Sequence, residues 1–419
     1  MRLSNTAKTF LKVSTAILFL LVFMVPQSFA YIKVPFLGFS LVAIIIGMIR
    51  NEWKINNPLF FPYYAVFGSM TIIFSFIGLL RGNPEEAIFD SIRLYFVFMW
   101  IYFILALYIS NTNYQKHIDQ IFCISAIGIS ATAFYTLLNS LYSLNWISDD
   151  VASEMLLEVG IREGYIQMNN VNVGMFTFII PYLLSRIIID RINAGYTLIF
   201  CLVLSVVAAI LASRRIVIIV FFLAPILTYV ISRVIGIRKH EVLKRAFLLY
   251  LSVCLGITLL SLYFYNYFPA AYEGFVHRLA DVFTKDETSP RQEQHVALLQ
   301  GFFNYPLFGS GFGGLVDSIR SEERPWTFEL TYSRILFNSG IIGFSLLSAF
   351  YIYYVVATLG KIKRSDHKTI YVPLLVGFFC VLIASASNPY LSSFDFIFVL
   401  SIIPLILNTR DVIYVNSAQ

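Results

Sequence analysis

The chain has 419 residues, of which 58% are hydrophobic and 13% charged, with a net charge of +6 and a mean hydropathy of +0.76. Soluble domains carry about 25% charged residues, so this composition excludes an ordinary cytosolic enzyme, a nucleic-acid-binding protein and a disordered chain. The apolar residues come in long blocks rather than in alternation, which excludes a β-barrel as well. What remains is an all-α, polytopic helical membrane protein.

A bilayer core about 30 Å thick needs roughly 20 apolar residues per helix. Blocks of that kind lie near 12–30, 32–49, 59–80, 90–110, 118–141, 171–189, 196–212, 216–232, 246–267, 330–358, 369–387 and 391–408, which predicts about 12 transmembrane helices. Residues 1–195 form an N-terminal helical part, 196–358 a core and 359–419 a C-terminal helical part. The basic start and Ser28-Phe29-Ala30 also fit a signal peptide. With so many blocks following, the reading is a retained first helix.

The loops alternate in charge. Residues 1–12, 50–57, 111–117, 186–195, 233–245, 359–368 and 409–419 hold 18 of the 30 basic residues. The positive-inside rule makes this set cytoplasmic, with both termini inside. Two loops on the other side are long. Residues 142–170 are acidic, with Asp149, Asp150, Glu154, Glu158 and Glu163 against Arg162. Residues 268–329 form a large outer loop with a helix predicted at 290–303, where Val296, Leu299, Phe302 and Phe303 would line one face. The cysteines Cys123, Cys201, Cys254 and Cys380 sit singly in apolar runs and read as small buried hydrophobes.

Arginines at a membrane span are costly, so each asks for a reason. Arg214 and Arg215 follow Ser213 between two apolar blocks on the outer side. They either anchor a hairpin at the headgroups or hold an anionic ligand through paired, charge-assisted hydrogen bonds. Arg93, in the fourth block, either binds as well or reaches out to the surface. The outer loop adds Arg278, Arg291, Arg320 and Arg324. Arg291 opens the predicted helix, and His295 lies one turn further on the same face. The glycine-rich run from Asn304 to Gly314 either cradles a phosphate or makes a flexible turn. Glu329-Leu-Thr-Tyr332-Ser-Arg334 then re-enters the membrane, with Glu329 and Tyr332 spaced to share a helix face. Such a carboxylate either accepts a proton from a hydroxyl or pairs with an arginine to fix the helix end. Asn338 to Gly343 supplies small residues for close helix packing.

The order of these motifs, over roughly residues 196–350, resembles the O-antigen polymerase and O-antigen ligase superfamily. The resemblance implies a multi-pass bacterial inner-membrane glycosyltransferase of lipopolysaccharide or related polysaccharide biosynthesis, active on the periplasmic face. It implies an undecaprenyl-diphosphate-linked oligosaccharide as donor, no metal or other cofactor, no nucleic acid, and a flippase and chain-length regulator of the same pathway as partners. The family's functional arginines fall on Arg214 and Arg291, with Arg215 and Arg278 as near matches; Glu329 and Tyr332 complete the expected catalytic set, and His295, Arg334 and Arg93 the substrate-binding one. Ligases carry a histidine where the outer loop re-enters the membrane. Glu329-Leu-Thr-Tyr332 stands there in this chain, which favours a polymerase over a ligase. A flippase or other transporter is the alternative from a different class, although the sequence shows no duplicated halves.

Overall fold

Regular helical hydrogen bonding dominates the fold because a segment in lipid must satisfy its own backbone. A computed structural model describes residues 4–112, 115–155, 157, 159–162, 165–168, 170–190, 195–212, 214–237, 239–267 and 290–410. Four helices come first: α1 (Asn5–Met24), α2 (Ala30–Ile49), α3 (Phe60–Leu80) and α4 (Glu85–Ser110). Next are α5 (Gln115–Tyr142), the short α6 (Asp149–Glu154), α7 (Phe176–Ile189), α8 (Tyr196–Leu211), α9 (Arg215–Ile235) and α10 (Lys239–Tyr267). The last four are α11 (Pro290–Asn304), α12 (Thr331–Arg364), α13 (Lys368–Ala384) and α14 (Phe394–Asn408). One short antiparallel hairpin, Val159–Arg162 with Tyr165–Met168, sits within the acidic loop.

Eight of the described helices are long and apolar enough to cross a membrane. Three shorter apolar helices, α8, α13 and α14, occupy the blocks predicted near 196–212, 369–387 and 391–408. Several boundaries differ from expectation. The first helix starts at Asn5, capped by the Ser4 hydroxyl, which accepts from the Ala7 N–H at 3.2 Å, and it ends before Pro26. The helix expected over 330–358 continues to Arg364.

Helix α7 is the hub. Apart from Arg186 near its end it is apolar on every face, as a helix enclosed by other helices must be, and nearly all of it is buried. Phe176, Phe178, Tyr182 and Leu183 pack there between α9 and α13. By contrast few residues of α12 are buried. Ile49, Leu80, Phe200, Leu346 and Val356 lie more than half exposed around the outside. Apolar surface on that scale needs lipid or protein to cover it.

Loops predicted on one side bond to one another at one end of the bundle. Lys8 pairs with Glu52 at 2.8 Å, Arg186 with Asp119 at 3.1 Å, and the Asn408 carboxamide accepts from the Asn56 N–H at 2.6 Å. The loops predicted on the other side meet at the opposite end. There the Phe29 N–H donates to Glu154 at 2.8 Å and the Thr331 hydroxyl to the Asn388 carbonyl at 3.5 Å.

Helix α12 is broken at Gly340 (φ 62°, ψ −173°), a region that only glycine occupies freely. The glycine-rich loop fills the break. Ser310 and Gly311 donate to the carbonyls of Phe337 and Asn338 at 2.8 and 2.9 Å. The N–H groups of Ile341 and Ile342 donate in turn to Pro306 and Leu307 at 2.9 and 3.2 Å. Phe312 reaches across to the Phe74 carbonyl of α3 at 2.9 Å. Irregular backbone is tolerated at membrane depth when protein satisfies it, and here one loop splices two half-helices. Gly309, Gly311 and Gly313 adopt positive φ to do so. The loop is therefore neither a slack turn nor a phosphate cradle over Ser310–Phe312, whose N–H groups are all engaged by backbone carbonyls.

Candidate functional site

The predicted outer-loop helix forms as α11, opened by Pro290. Its buried residues are Gln294 and Leu298, not the face expected from Val296 and Phe303, which are exposed. Gln294 is buried because its carboxamide oxygen accepts the Glu329 N–H at 2.7 Å, tying the helix to the re-entering chain. Arg291 and His295, one turn apart, both face that chain. Arg291 forms an ion pair with Glu329, and His295 Nδ1 lies 3.0 Å from the Ser333 hydroxyl. Arg320 takes the other Glu329 oxygen at 3.3 Å.

Glu329 and Tyr332 do not share a helix face. Leu330 is extended (φ −88°, ψ 90°), so α12 begins only at Thr331 and the helical spacing does not reach Glu329. The Tyr332 hydroxyl donates to the Leu382 carbonyl of α13 at 2.6 Å, away from the Glu329 carboxylate. Tyr332 is thus a fastener between two helices, and Glu329 is held by two guanidiniums.

Arg214 stands at the start of α9 and donates to the Asn170 carbonyl at 3.3 Å. Its Nε, the Asn170 Oδ1 and the Asn172 Oδ1 are buried without a hydrogen-bond partner. Buried polar atoms without a partner are unusual in a folded interior, and two of these three belong to Arg214 and the Asn170 it bonds to. The Asn170 and Asn172 side chains are seated by Thr136 and Thr132, one turn apart on α5, at 3.1 and 2.7 Å. Arg215 is exposed beside them. Ser213 and Arg278 lie outside the described residues.

Tyr390 feels the charge of both arginines. It sits on a 3-10 turn (Tyr390–Ser392) between α13 and α14, its ring packed on Phe396 at 4.9 Å. Burial pushes its phenol above the ordinary value, and the positive charges of Arg214 and Arg291 pull it back. The outer loop and the α8–α9 hairpin, far apart in sequence, thus act on one hydroxyl. Nothing in the run Ser385–Ser393 signalled this, because it reads as a short polar gap between apolar blocks.

Arg334 and Arg93 turn toward a neighbouring cavity. Arg334 donates to the Ser392 hydroxyl at 3.1 Å and to the Tyr95 hydroxyl. Arg93 pairs with Asp90 at 2.8 Å and opens a π-helical turn, Arg93–Phe98, inside α4. Such bulges recur at functional positions. Chemically, this end of the bundle presents guanidiniums, two engaged carboxylates in Glu329 and Asp90, and buried amide dipoles, an arrangement suited to a polyanionic, hydroxyl-rich ligand. No family model matches the sequence, and no curated protein matches it.

Proposed function

We propose that the chain is an inner-membrane glycosyltransferase that polymerises undecaprenyl-diphosphate-linked oligosaccharide repeat units into O-antigen or a related surface polysaccharide on the periplasmic face. The observation that carries this reading is that the charges of Arg214 and Arg291 both act on the buried Tyr390 phenol, with Arg291 ion-paired to Glu329. In the reaction, an acceptor hydroxyl attacks the anomeric carbon of the donor sugar. The bond to the diphosphate breaks and the diphosphate leaves with the electron pair. Arg214 and Arg291 stabilise the charge that grows on it, a contribution of about 2.7–4 kcal/mol per donor at a preorganised site.

Glu329 fits this scheme as an internal stand-in for the anion. The incoming diphosphate displaces it from Arg291 and Arg320, and the released carboxylate takes the proton of the acceptor hydroxyl. Tyr390, a neutral phenol, donates to a phosphate oxygen. Arg291→Ala and Arg214→Ala are expected to leave the protein inserted while abolishing polymer. Normal-length polymer from both variants would overturn the assignment. In a deletion strain, a polymerase defect leaves one repeat unit on the lipid core, and a ligase defect leaves bare core while lipid-linked polymer accumulates.

The broken α12 favours one second reading, a transporter of the same lipid-linked units, because transporters build their sites at interrupted helices. Loss of that activity traps repeat units on the cytoplasmic side, which the same strain distinguishes.

A further inference from the structure

The cavity faced by Arg93 and Arg334 has a volume of about 110 Å³ and lies between α4, the glycine-rich loop, Arg324–Thr327 and α12. We propose that it is a carbohydrate subsite that receives the carboxylate of an acidic sugar, separate from the place of the diphosphate. The proposal rests on the reading of the substrate as a lipid-linked saccharide and specifies one of its sugars.

Charge is the first argument. Three guanidiniums line the cavity, those of Arg93, Arg324 and Arg334, against one carboxylate, Asp90. Asp90 is already shared, accepting from Arg93 at 2.8 Å and from the Trp326 indole at 3.2 Å. Among the described residues no ion pair engages Arg324 or Arg334. Among the described residues the Arg334 guanidinium meets the neutral Ser392 hydroxyl and the Tyr95 side chain. Two cations facing a partly enclosed space without a counter-charge favour an anion there, and the planar guanidinium fork matches a carboxylate.

Shape is the second. The cavity, at about 110 Å³, is smaller than an engineered cavity of about 150 Å³ that holds benzene, so it takes the carboxylate and adjoining edge of one sugar, with the rest of the ring at its rim, and not an oligosaccharide. Its walls include Trp326, anchored by Asp90, and Tyr95, stacked on Phe312 at 5.9 Å with 21° between the rings. Flat aromatic faces suit the C–H face of a sugar ring, and inorganic phosphate would use neither wall. Asn338, in the lining, belongs to the splice across the α12 break, where its carbonyl accepts the Gly311 N–H at 2.9 Å.

Position is the third. Ser392 borders the cavity and Tyr390 borders the Arg214–Arg291 cluster, two residues apart and so within about 7 Å along the chain. A sugar in the cavity and a diphosphate at the cluster can therefore belong to substrates bound side by side.

Trp326 gives the test its readout. The full-length protein in detergent is titrated with sodium glucuronate, glucose and inorganic phosphate while indole fluorescence is followed, with Trp326→Phe as the control that removes the signal. Saturable quenching by glucuronate, none by glucose at equal concentration, and at least tenfold weaker binding in Arg324→Gln and Arg334→Gln are expected. Arg324 is exposed and its side chain bonds to no described residue, so its variant keeps the fold. Equal binding of glucose, unchanged binding in Arg324→Gln, or phosphate binding more tightly than glucuronate would overturn the subsite. Polymer formation does not enter this measurement. A negative titration with Arg214 and Arg291 still required for polymer sinks the subsite alone.

Discussion

Gly309 and Gly340 meet backbone to backbone, each standing where a Cβ on the other would overlap its amide nitrogen. Both have positive φ, 68° and 62°. An alanine at either position is expected to cost at least about 1–3 kcal/mol from backbone strain alone, with the overlap added. Gly360 lies in the same helix with open space around its Cβ position. Gly360→Ala should be neutral or stabilising by up to about 1 kcal/mol. Thermal unfolding followed by size exclusion in detergent reads both, with Gly309→Ala and Gly340→Ala lowered and Gly360→Ala not.

Glu329→Gln separates two roles for this carboxylate. A general base contributes about 10²–10⁴-fold, so turnover should fall a hundredfold or more. The neutral amide forms no ion pair with Arg291 and Arg320, and donor affinity should rise or hold because no internal anion competes. A turnover loss below tenfold would leave Glu329 with the single role of holding the arginines.

Tyr390 stays protonated well into the alkaline range, since burial raises its phenol above the ordinary value despite Arg214 and Arg291. The folded state then holds the proton more tightly than the unfolded one, so the associated stability is full below about pH 10 and is lost as pH rises through the raised value. Between about pH 6 and pH 9, Tyr390→Phe should lower the rate without changing the shape of the pH profile. A limb of the wild-type profile that disappears in the variant within that range would show that Tyr390 titrates there.

Lys33 and Asp395 form an ion pair at 2.7 Å with side chains 7% and 6% exposed. Asp395 also accepts the Gln27 N–H at 2.7 Å, and Lys33 donates to the Val25 carbonyl at 2.7 Å. The pair pins the α1–α2 turn to the start of α14. Asp395→Ala strands the lysine and should cost about 3–5 kcal/mol, whereas Lys33→Met with Asp395→Leu should cost much less. Expression and thermal unfolding of the three variants check this. Equal losses in the single and double variants would assign the effect to the Gln27 contact instead.

Orientation is open to direct labelling. Cys123, Cys201 and Cys380 are buried; the Cys254 side chain lies outside those described, so Cys254→Ala is the background. New cysteines at exposed Glu322 and Lys363 sit at opposite ends of the bundle. A membrane-impermeant maleimide applied to intact spheroplasts should label Glu322→Cys and spare Lys363→Cys. The reverse pattern inverts the proposed topology.

The apolar blocks and their alternating loop charges were legible without coordinates, because a segment in lipid must close its own hydrogen bonds and basic loops stay on one side. The helix at 290–304 was legible too, from its proline and polar start. Arg291 and Arg214 stood out as cations where the composition supplies few. What the sequence could not reveal was which side chains meet. The spacing of Glu329 and Tyr332 suggested one face, but an extended Leu330 turns them apart. The glycines promised unusual backbone, but their partner, a helix broken at Gly340, became visible only with both segments in place. Tyr390 carries no local signal, and its importance comes from two arginines delivered by distant elements. Hydropathy is a local quantity and settles where helices form. Proximity depends on how those helices pack, and at the end of this bundle that holds Arg214 and Arg291 packing alone decides which charges face one another.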